Sequence, residues 1–192
     1  MKLQTIPWIR RVCVITGIGL LIAAGAMMLR IHNARNQAQE YVHILRTLMP
    51  EPQSAVMEEW GNQAMPALSL EGTDFIGILE IPQYGSALPV SGEWGRSYLY
   101  PCRLSGSVYD GSIQIGGTSQ QGQFDFYRQL SVGDRVFFTD VAGNRYAYTV
   151  THLRYETHAD QEALQRRAGD LTLFIKNIYA FEYILVFCEA LG

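Results

Sequence analysis

Cysteine thiols are the side chains in this chain best suited to act as nucleophiles. Cys188 lies in the apolar run YILVFCEAL together with Tyr183, and residues five apart on a strand face opposite sides. We interpret Cys188 as a buried structural thiol. Cys102 follows Pro101 in a predicted loop, and whether it pairs with Cys188 in a disulfide stays open, because both are predicted to lie outside the cytoplasm. Cys13 falls in a long apolar run and is predicted to be inert.

Two histidines lie close together in the segment THLRYETHADQE, which we predict to connect a strand to a helix. They are His152 and His158, with Glu156 and Asp160 nearby. The spacing fits no standard zinc pattern. We therefore interpret both histidines as solvated loop side chains and predict neither a metal site nor a cofactor.

The composition sets limits on the class of protein. The chain has 192 residues, of which 48% are hydrophobic and 17% charged, with a net charge of -3 and a pI near 5.8. A nucleic-acid-binding protein would normally present a basic face, so a nucleic-acid partner is not expected. The length allows one domain plus an appendage.

An uncharged apolar segment, Val12–Leu29, is long enough to cross a membrane. As a helix it would span about 27 Å. A cleaved signal peptide is the alternative, but the run is longer than a usual signal core and IHNARNQAQ is a poor cleavage site. Lys2, Arg10 and Arg11 precede the run, which favours a cytoplasmic N-terminus and a C-terminal domain outside the cell membrane.

The next segment along the chain is predicted to be an amphipathic helix, because its apolar residues recur at steps of three and four. These residues are Ala34, Ala38, Tyr41, Ile44, Leu45 and Leu48. Pro50 and Pro52 end the helix, and a short helix is predicted at 56–60. His32 and His43 are expected at the surface. We expect few contacts between this segment and the C-terminal part of the chain, so a domain beginning near Asp74 should fold alone.

After Gly72 the pattern changes to short β-runs separated by turn residues. The predicted strands are Phe75–Ile81, Ala87–Val90, Ser112–Ile115 (closed by Gly116 and Gly117), Arg135–Thr139, Arg145–Leu153, Leu171–Ile175 and Tyr183–Cys188, with a hairpin loop at Asp140–Asn144 and a helix at Ala159–Ala168. Many short strands and few helices predict a mainly β protein with a closed or nearly closed antiparallel barrel. The predicted organisation is a cytoplasmic N-terminus (1–11), a transmembrane helix (12–29), a helical stalk and linker (30–72) and a barrel domain (73–192).

Five collinear strings in this domain carry a family resemblance: DFIGILEIP, LPV, YPCRLSGS, GDRVFFTDVAGNRYAYTV and DLTLF. From about Asp74 to Leu191 the chain resembles sortases, most closely the class B-like sortases of Gram-positive bacteria. The resemblance implies a sortase-type β-barrel. It also implies a cysteine transpeptidase, in which a thiolate attacks a carbonyl of a cell-wall sorting signal and an amine resolves the thioacyl enzyme.

The resemblance further implies three catalytic positions, and all three are changed here. Lys176 matches the position of the nucleophilic cysteine at the end of a TLxTC-like strand, and Thr118 matches the histidine of an AGHN-like segment. Tyr183 stands at or next to the arginine of the last strand. A solvated lysine ammonium is not a nucleophile. We therefore predict a catalytically inactive, degenerate sortase that acts as a binding or scaffold module in anchoring surface proteins, with a sorting-signal peptide or an active sortase as partner.

Two alternatives stay open. The chain could be an active sortase-type transpeptidase with a non-standard nucleophile, for example a Thr118–Lys176 pair analogous to a Ser–Lys dyad. It could also be a structural membrane protein that associates through its transmembrane segment and stalk.

Overall fold

The structure is a computed structural model, and it describes residues 7–55, 64–93, 99–157 and 169–191. The helices predicted at 56–60 and at Ala159–Ala168 lie outside these residues, as do His158 and Asp160. The described elements are one long helix, α1 (Pro7–Leu48), two short 3₁₀ helices (Pro82–Tyr84 and Tyr127–Gln129), and ten strands: β1 (Gln53–Ser54), β2 (Leu68–Leu70), β3 (Thr73–Ile81), β4 (Ser86–Ser91), β5 (Cys102–Ser105), β6 (Ile113–Thr118), β7 (Arg135–Asp140), β8 (Asn144–Glu156), β9 (Leu171–Asn177) and β10 (Glu182–Ala190).

Eight of the strands close into a barrel. Their order is β8-β10-β9-β6-β5-β4-β3-β7, and β7 completes the circle because it pairs with both β3 and β8. The predicted mainly β, closed barrel is confirmed. The prediction that it is antiparallel throughout is wrong, since β4–β5 and β6–β9 are parallel pairs. Parallel strands need a crossover connection between them. In the chain, the connection from β6 to β9 contains the β7–β8 hairpin.

The predicted hairpin loop at Asp140–Asn144 is confirmed, and a buried carboxylate holds it. Asp140 Oδ1 accepts hydrogen bonds from the backbone N–H groups of Ala142 and Asn144, each at 2.9 Å. Asp140 is fully buried, and these donors satisfy its charge. The loop therefore joins β7 to β8 at the position where the barrel closes.

Strand β6 does not stop at Gly116 and Gly117, as the sequence suggested, but continues to Thr118. A Cβ on Gly116 would lie 2.7 Å from Leu104 Cδ2, and one on Gly117 would lie 2.6 Å from Phe124 Cε2. The two glycines therefore make room for side chains that cover the strand, rather than ending it.

Two further expectations about local structure are wrong. Cys102 lies in β5, not in a loop. The segment predicted to connect a strand to a helix belongs to β8 as far as Glu156, so His152 lies within a strand, as the predicted strand Arg145–Leu153 also implied. Both belong to segments whose strand pattern is short or polar, and pairing with neighbouring strands determines their conformation.

Helix α1 contains an apolar segment, Arg11–Leu29, with a mean hydropathy of 2.4, in which no residue is buried. Its length and composition suit a membrane span. The helix continues without a break to Leu48, just before Pro50, so the predicted end of the amphipathic helix is confirmed. The side chain of His32 lies outside the described part of the chain.

The last turns of α1 pack on the barrel. The buried residues Ala38, Tyr41, Val42 and Leu45 form a cluster with Phe75, Ile78 and Tyr100, which we call the docking cluster. Strands β1 and β2 also precede Asp74, and they pair with β8 and β3. The expectation that few contacts join the stalk and linker to the barrel is therefore wrong.

Ion pairs add to this contact between helix and barrel. The Glu80 carboxylate lies 2.6 Å from Nη2 of Arg46 on α1 and 2.5 Å from Nη1 of Arg145 on β8. The Tyr41 hydroxyl donates to Glu71 Oε2 at 2.6 Å. The regularly spaced apolar residues that predicted an amphipathic stalk thus form the face of the helix that packs on the barrel.

Candidate functional site

The three positions singled out by the sequence resemblance lie side by side. Thr118 on β6 is paired with Lys176 on β9, and Lys176 is paired with Tyr183 on β10. Directly opposite residues on adjacent strands have Cβ atoms about 5 Å apart. We call these three residues the site row.

The site row faces away from the barrel interior. Ile175 and Ile184, its neighbours along the chain, point into the main core, and side chains alternate along a strand. Lys176 is exposed, and the Tyr183 ring packs against Phe174 with centroids 5.1 Å apart. The row is therefore available to a ligand approaching from outside.

A second apolar cluster supports the row on this outer face. Phe174, Leu185 and Phe187 are buried there, with Leu104 and Tyr183 packed against them. Phe174 is the outward residue two positions before Lys176 on the same strand. The site row thus lies at the edge of a packed surface, which fixes the strands that carry it.

The Lys176 ammonium is solvated. Its backbone carbonyl accepts a hydrogen bond from the Ser119 N–H at 2.9 Å. Its side chain is exposed, and none of the ion pairs between described residues includes it. An exposed lysine side chain presents a compact positive charge to a ligand.

The Thr118 hydroxyl is directed at an amide. Its Oγ1 donates to Gln123 Oε1 at 3.3 Å, and its backbone N–H donates to the same oxygen at 2.8 Å. A Thr118–Lys176 dyad would need the hydroxyl to donate to a neutral lysine amine. The geometry of the described residues does not provide this.

The turn after β9 is held by buried polar groups that the sequence analysis missed. Asn177 and Ser119 are 2% and 3% exposed. Asn177 Oδ1 accepts from the Tyr179 N–H at 3.0 Å, and its Nδ2 donates to Glu182 Oε2 at 3.1 Å. Ser119 Oγ accepts from the Ile178 N–H at 3.1 Å. An Asn between an apolar strand and a short loop is a usual sign of such a turn.

A surface pocket of about 480 Å³ lies between this turn and the site row. Lys176 and Tyr183 line it, together with the whole turn from Asn177 to Glu182 and with Thr157. Tyr179 and Phe181 at the tip of the turn are 78% and 98% exposed. Pockets that combine apolar walls with a few polar groups are typical ligand sites.

Comparison with known proteins identifies the architecture. No protein-family model matches the chain, and no curated protein matches its sequence. Among solved structures, sortase A from Corynebacterium diphtheriae is 18% identical with a TM-score of 0.54, over 84% of each chain. The pilus-related sortase C of Group B Streptococcus is 20% identical with a TM-score of 0.53, over 85% of this chain and 90% of that one.

The chain has the sortase fold. A Clostridium perfringens sortase D5 transpeptidase shares it at 15% identity and a TM-score of 0.52, over 62% of this chain and 80% of that chain. These identities show the fold alone. The closer likeness to class B sortases, and the match of the site row to catalytic positions, stay predictions.

The buried cysteines of this sortase fold lie away from the site row. Cys188 is fully buried among the interior residues of β10, on the opposite face from Tyr183, as predicted. Cys102 is also fully buried, with its Sγ 3.7 Å from the carbonyl oxygen of Gly116. Both thiols are free, and burial raises the pKa of each to about 12. Neither could supply a thiolate near neutral pH.

The two histidines whose side chains the structure describes, His43 and His152, do not line the pocket. His43 is exposed on α1, as predicted. His152 is exposed on β8, with its ring stacked on Phe187 at a centroid distance of 5.9 Å. The described residues contain no group of three or more His, Cys, Asp or Glu side chains arranged to hold a metal ion.

Proposed function

We propose that this protein is a membrane-anchored, extracytoplasmic sortase-fold module that has lost transpeptidase chemistry and binds a partner in the anchoring of surface proteins. The observation that carries the proposal is Lys176. It is a solvated cation at the centre of the site row, where the family resemblance requires a thiolate. Thr118 and Tyr183 beside it offer hydrogen bonds but no second charge.

The chemistry available to the site row supports binding and not turnover. Transfer through a thioacyl enzyme needs a nucleophile, and losing it ends the mechanism. A tyrosine in place of an arginine could still donate one hydrogen bond to an oxyanion, but loss of a donor typically costs about 10²–10³ in rate. A pocket and an exposed turn remain, and both are suited to holding a peptide.

The apolar segment of α1 supports the proposed location at the membrane. Basic residues including Arg10 and Arg11 precede Val12, which favours a cytoplasmic N-terminus. Trp8 is 61% exposed near the start of the segment, where aromatic side chains commonly meet a membrane interface. Protease added to intact cells should degrade the C-terminal domain, and complete protection would contradict this orientation.

The test of inactivity is a direct assay. The full chain in detergent micelles is offered LPxTG-like or NPxTN-like peptides with an amine acceptor, beside an active sortase as positive control. We expect neither cleavage nor an acyl adduct on the protein. Turnover above the enzyme-free rate would overturn the proposal, and loss of that turnover in Thr118→Ala, Lys176→Ala or Cys188→Ala would locate the nucleophile.

A gain-of-function variant makes the test stricter. The triple substitution Lys176→Cys, Thr118→His and Tyr183→Arg returns the three side chains that the resemblance requires, on strands that already place them side by side. We expect measurable cleavage from this variant. The matched control keeps Thr118→His and Tyr183→Arg but carries Lys176→Ser, and it should stay inactive. Activity in the control would show that the thiol is not what the site row lacks.

A further inference from the structure

No ion pair between described residues includes the Lys176 ammonium. The chain has only two lysines, Lys2 near the N-terminus and Lys176, and all its other basic side chains of this kind are arginines. The two acidic residues nearest in the strand pairing each contact another side chain. Glu182 accepts a hydrogen bond from Asn177, and Glu156, opposite Tyr183, lies 2.8 Å from Arg154 Nε.

The pocket next to this charge is largely preformed. Its wall is the turn from Ile178 to Phe181, and the buried Asn177 and Ser119 side chains fix the backbone of that turn. Side chains at the tip present aromatic surface to solvent. A ligand would therefore meet the Lys176 ammonium together with aromatic surface, and the lining also includes the Glu182 carboxylate, which accepts a hydrogen bond from Asn177. Because the backbone of the wall is already fixed, little free energy is needed to order it on binding.

On these observations we propose that the pocket binds a peptide through one carboxylate held by Lys176, with an apolar side chain of the same peptide against Tyr179 and Phe181. The inference rests on the proposed function, because it assigns a ligand class to the same site. A lysine ammonium is a compact single charge, which matches one carboxylate. A phosphate group is usually held by several donors or by an arginine fork, and Lys176 is the only lysine or arginine lining the described pocket.

The source of the carboxylate is either an acidic side chain or a free C-terminus, and three probe peptides distinguish them. Acetyl-LPETG-amide carries a side-chain carboxylate, acetyl-LPQTG with a free C-terminus carries a terminal one, and acetyl-LPQTG-amide carries none. Binding to the full chain in detergent micelles is measured by calorimetry at low ionic strength. An exposed ion pair supports a gain of up to about fivefold in affinity. We expect that gain for one of the two charged peptides over the neutral one, and we expect salt to remove it.

Two variants show whether Lys176 is responsible. Lys176→Met keeps a long side chain and loses the charge, so it should bind the charged and neutral peptides equally well. Arg135→Met removes an exposed cation on β7, away from the pocket, and should preserve the fivefold difference. A difference that persists in Lys176→Met would overturn the assignment.

A spectroscopic readout reports on the side chain itself. Reductive methylation with ¹³C-formaldehyde labels only Lys2, Lys176 and the amino terminus, so the Lys176 signal can be assigned with Lys176→Met. The charged peptide should shift that signal, whereas inorganic phosphate at the same concentration should shift it less. A larger response to phosphate would overturn the carboxylate assignment in favour of a phosphate ligand.

The same samples separate this inference from the proposed function. Cleavage of any peptide would overturn the proposed function. Equal binding of all three peptides without cleavage would overturn only the carboxylate inference. Absence of binding by all three would also overturn it, and it would remove support for a peptide-binding role while leaving the expected inactivity in place.

Discussion

A methyl group added at Gly77 would lie 2.2 Å from the backbone carbonyl oxygen of Thr139, on the seam where β3 meets β7. The backbone cannot yield there without opening the barrel. We therefore expect Gly77→Ala to lower the free energy of unfolding by several kcal/mol, as overpacking commonly costs about 1–3 and more where backbone must move. Gly92→Ala is the matched control, because its Cβ would lie 3.2 Å from Cγ2 of the Ile76 side chain and at an ordinary contact distance of 3.6 Å from the Asp74 carbonyl oxygen. Urea unfolding of the two variants measures the difference, and equal losses would contradict the tight seam.

Because the thiols of Cys102 and Cys188 are buried, we expect the free energy of unfolding to fall at alkaline pH. Burial raises the pKa of Cys102 and Cys188 to about 12 from an ordinary value of 9. The unfolded chain therefore loses these protons first, so their contribution is complete below about pH 9 and is lost as the pH rises towards 12. The wild-type free energy of unfolding should fall more steeply between pH 9 and 11 than that of Cys102→Ala/Cys188→Ala. Parallel curves would contradict deep burial of the thiols.

At the residue scale, positions can be predicted from the sequence where a strand pattern overlaps one of the five strings that carry the family resemblance. DLTLF is one of the strings that carry the sortase resemblance, and it is this resemblance that implies Lys176 beside Thr118. The bonds that hold the adjacent turn were not foreseen. Ser119 and Ile178 are far apart in the chain, and nothing local indicates that one accepts a hydrogen bond from the other.

At the scale of the elements, the docked end of α1 supports a specific prediction. Leu45 is completely buried in the docking cluster, whereas Thr47 is exposed on the other side of the helix. Leu45→Ala should cost about 2–5 kcal/mol in the free energy of unfolding, as truncation of a buried leucine usually does. Thr47→Ala should change it by less than about 0.5 kcal/mol. Similar small effects of both substitutions on thermal unfolding would mean that the helix does not stabilise the barrel.

The elements also show what the spacing of apolar residues along the chain can and cannot predict. Short apolar or alternating runs bounded by turn residues predict seven of the barrel strands, and several of these strands are buried on both faces. Such runs do not identify β5, whose four residues are too few for a period, nor the parallel pairing of β6 with β9. The helical period of α1 was recognised, but its partner was not, since an apolar stripe does not say what it covers.

For the whole molecule, the docking cluster changes where an independent domain should begin. A fragment from Asp74 to Gly192 would lack β1, β2 and the docked helix, and it would expose Phe75, Ile78 and Tyr100. Burial of such side chains is worth roughly 1.5–3 kcal/mol each, a large share of a typical stability of about 5–15 kcal/mol. The fragment should therefore unfold at a clearly lower temperature by circular dichroism than one beginning at Arg30. Identical midpoints would restore the view of a free-standing barrel.

The unbroken course of α1 ties the barrel to the membrane in both height and direction. Each helical residue adds about 1.5 Å and 100° of rotation, so the nine steps from Leu29 to Ala38 place the first docked residue about 14 Å beyond the apolar segment. Removing a single residue there would swing the pocket about 100° around the helix axis and lower it only slightly. Removing seven would return it to nearly the same azimuth about 10 Å closer to the bilayer. The length of this stretch therefore determines the direction in which the pocket faces within the membrane plane, as well as its distance from the lipid.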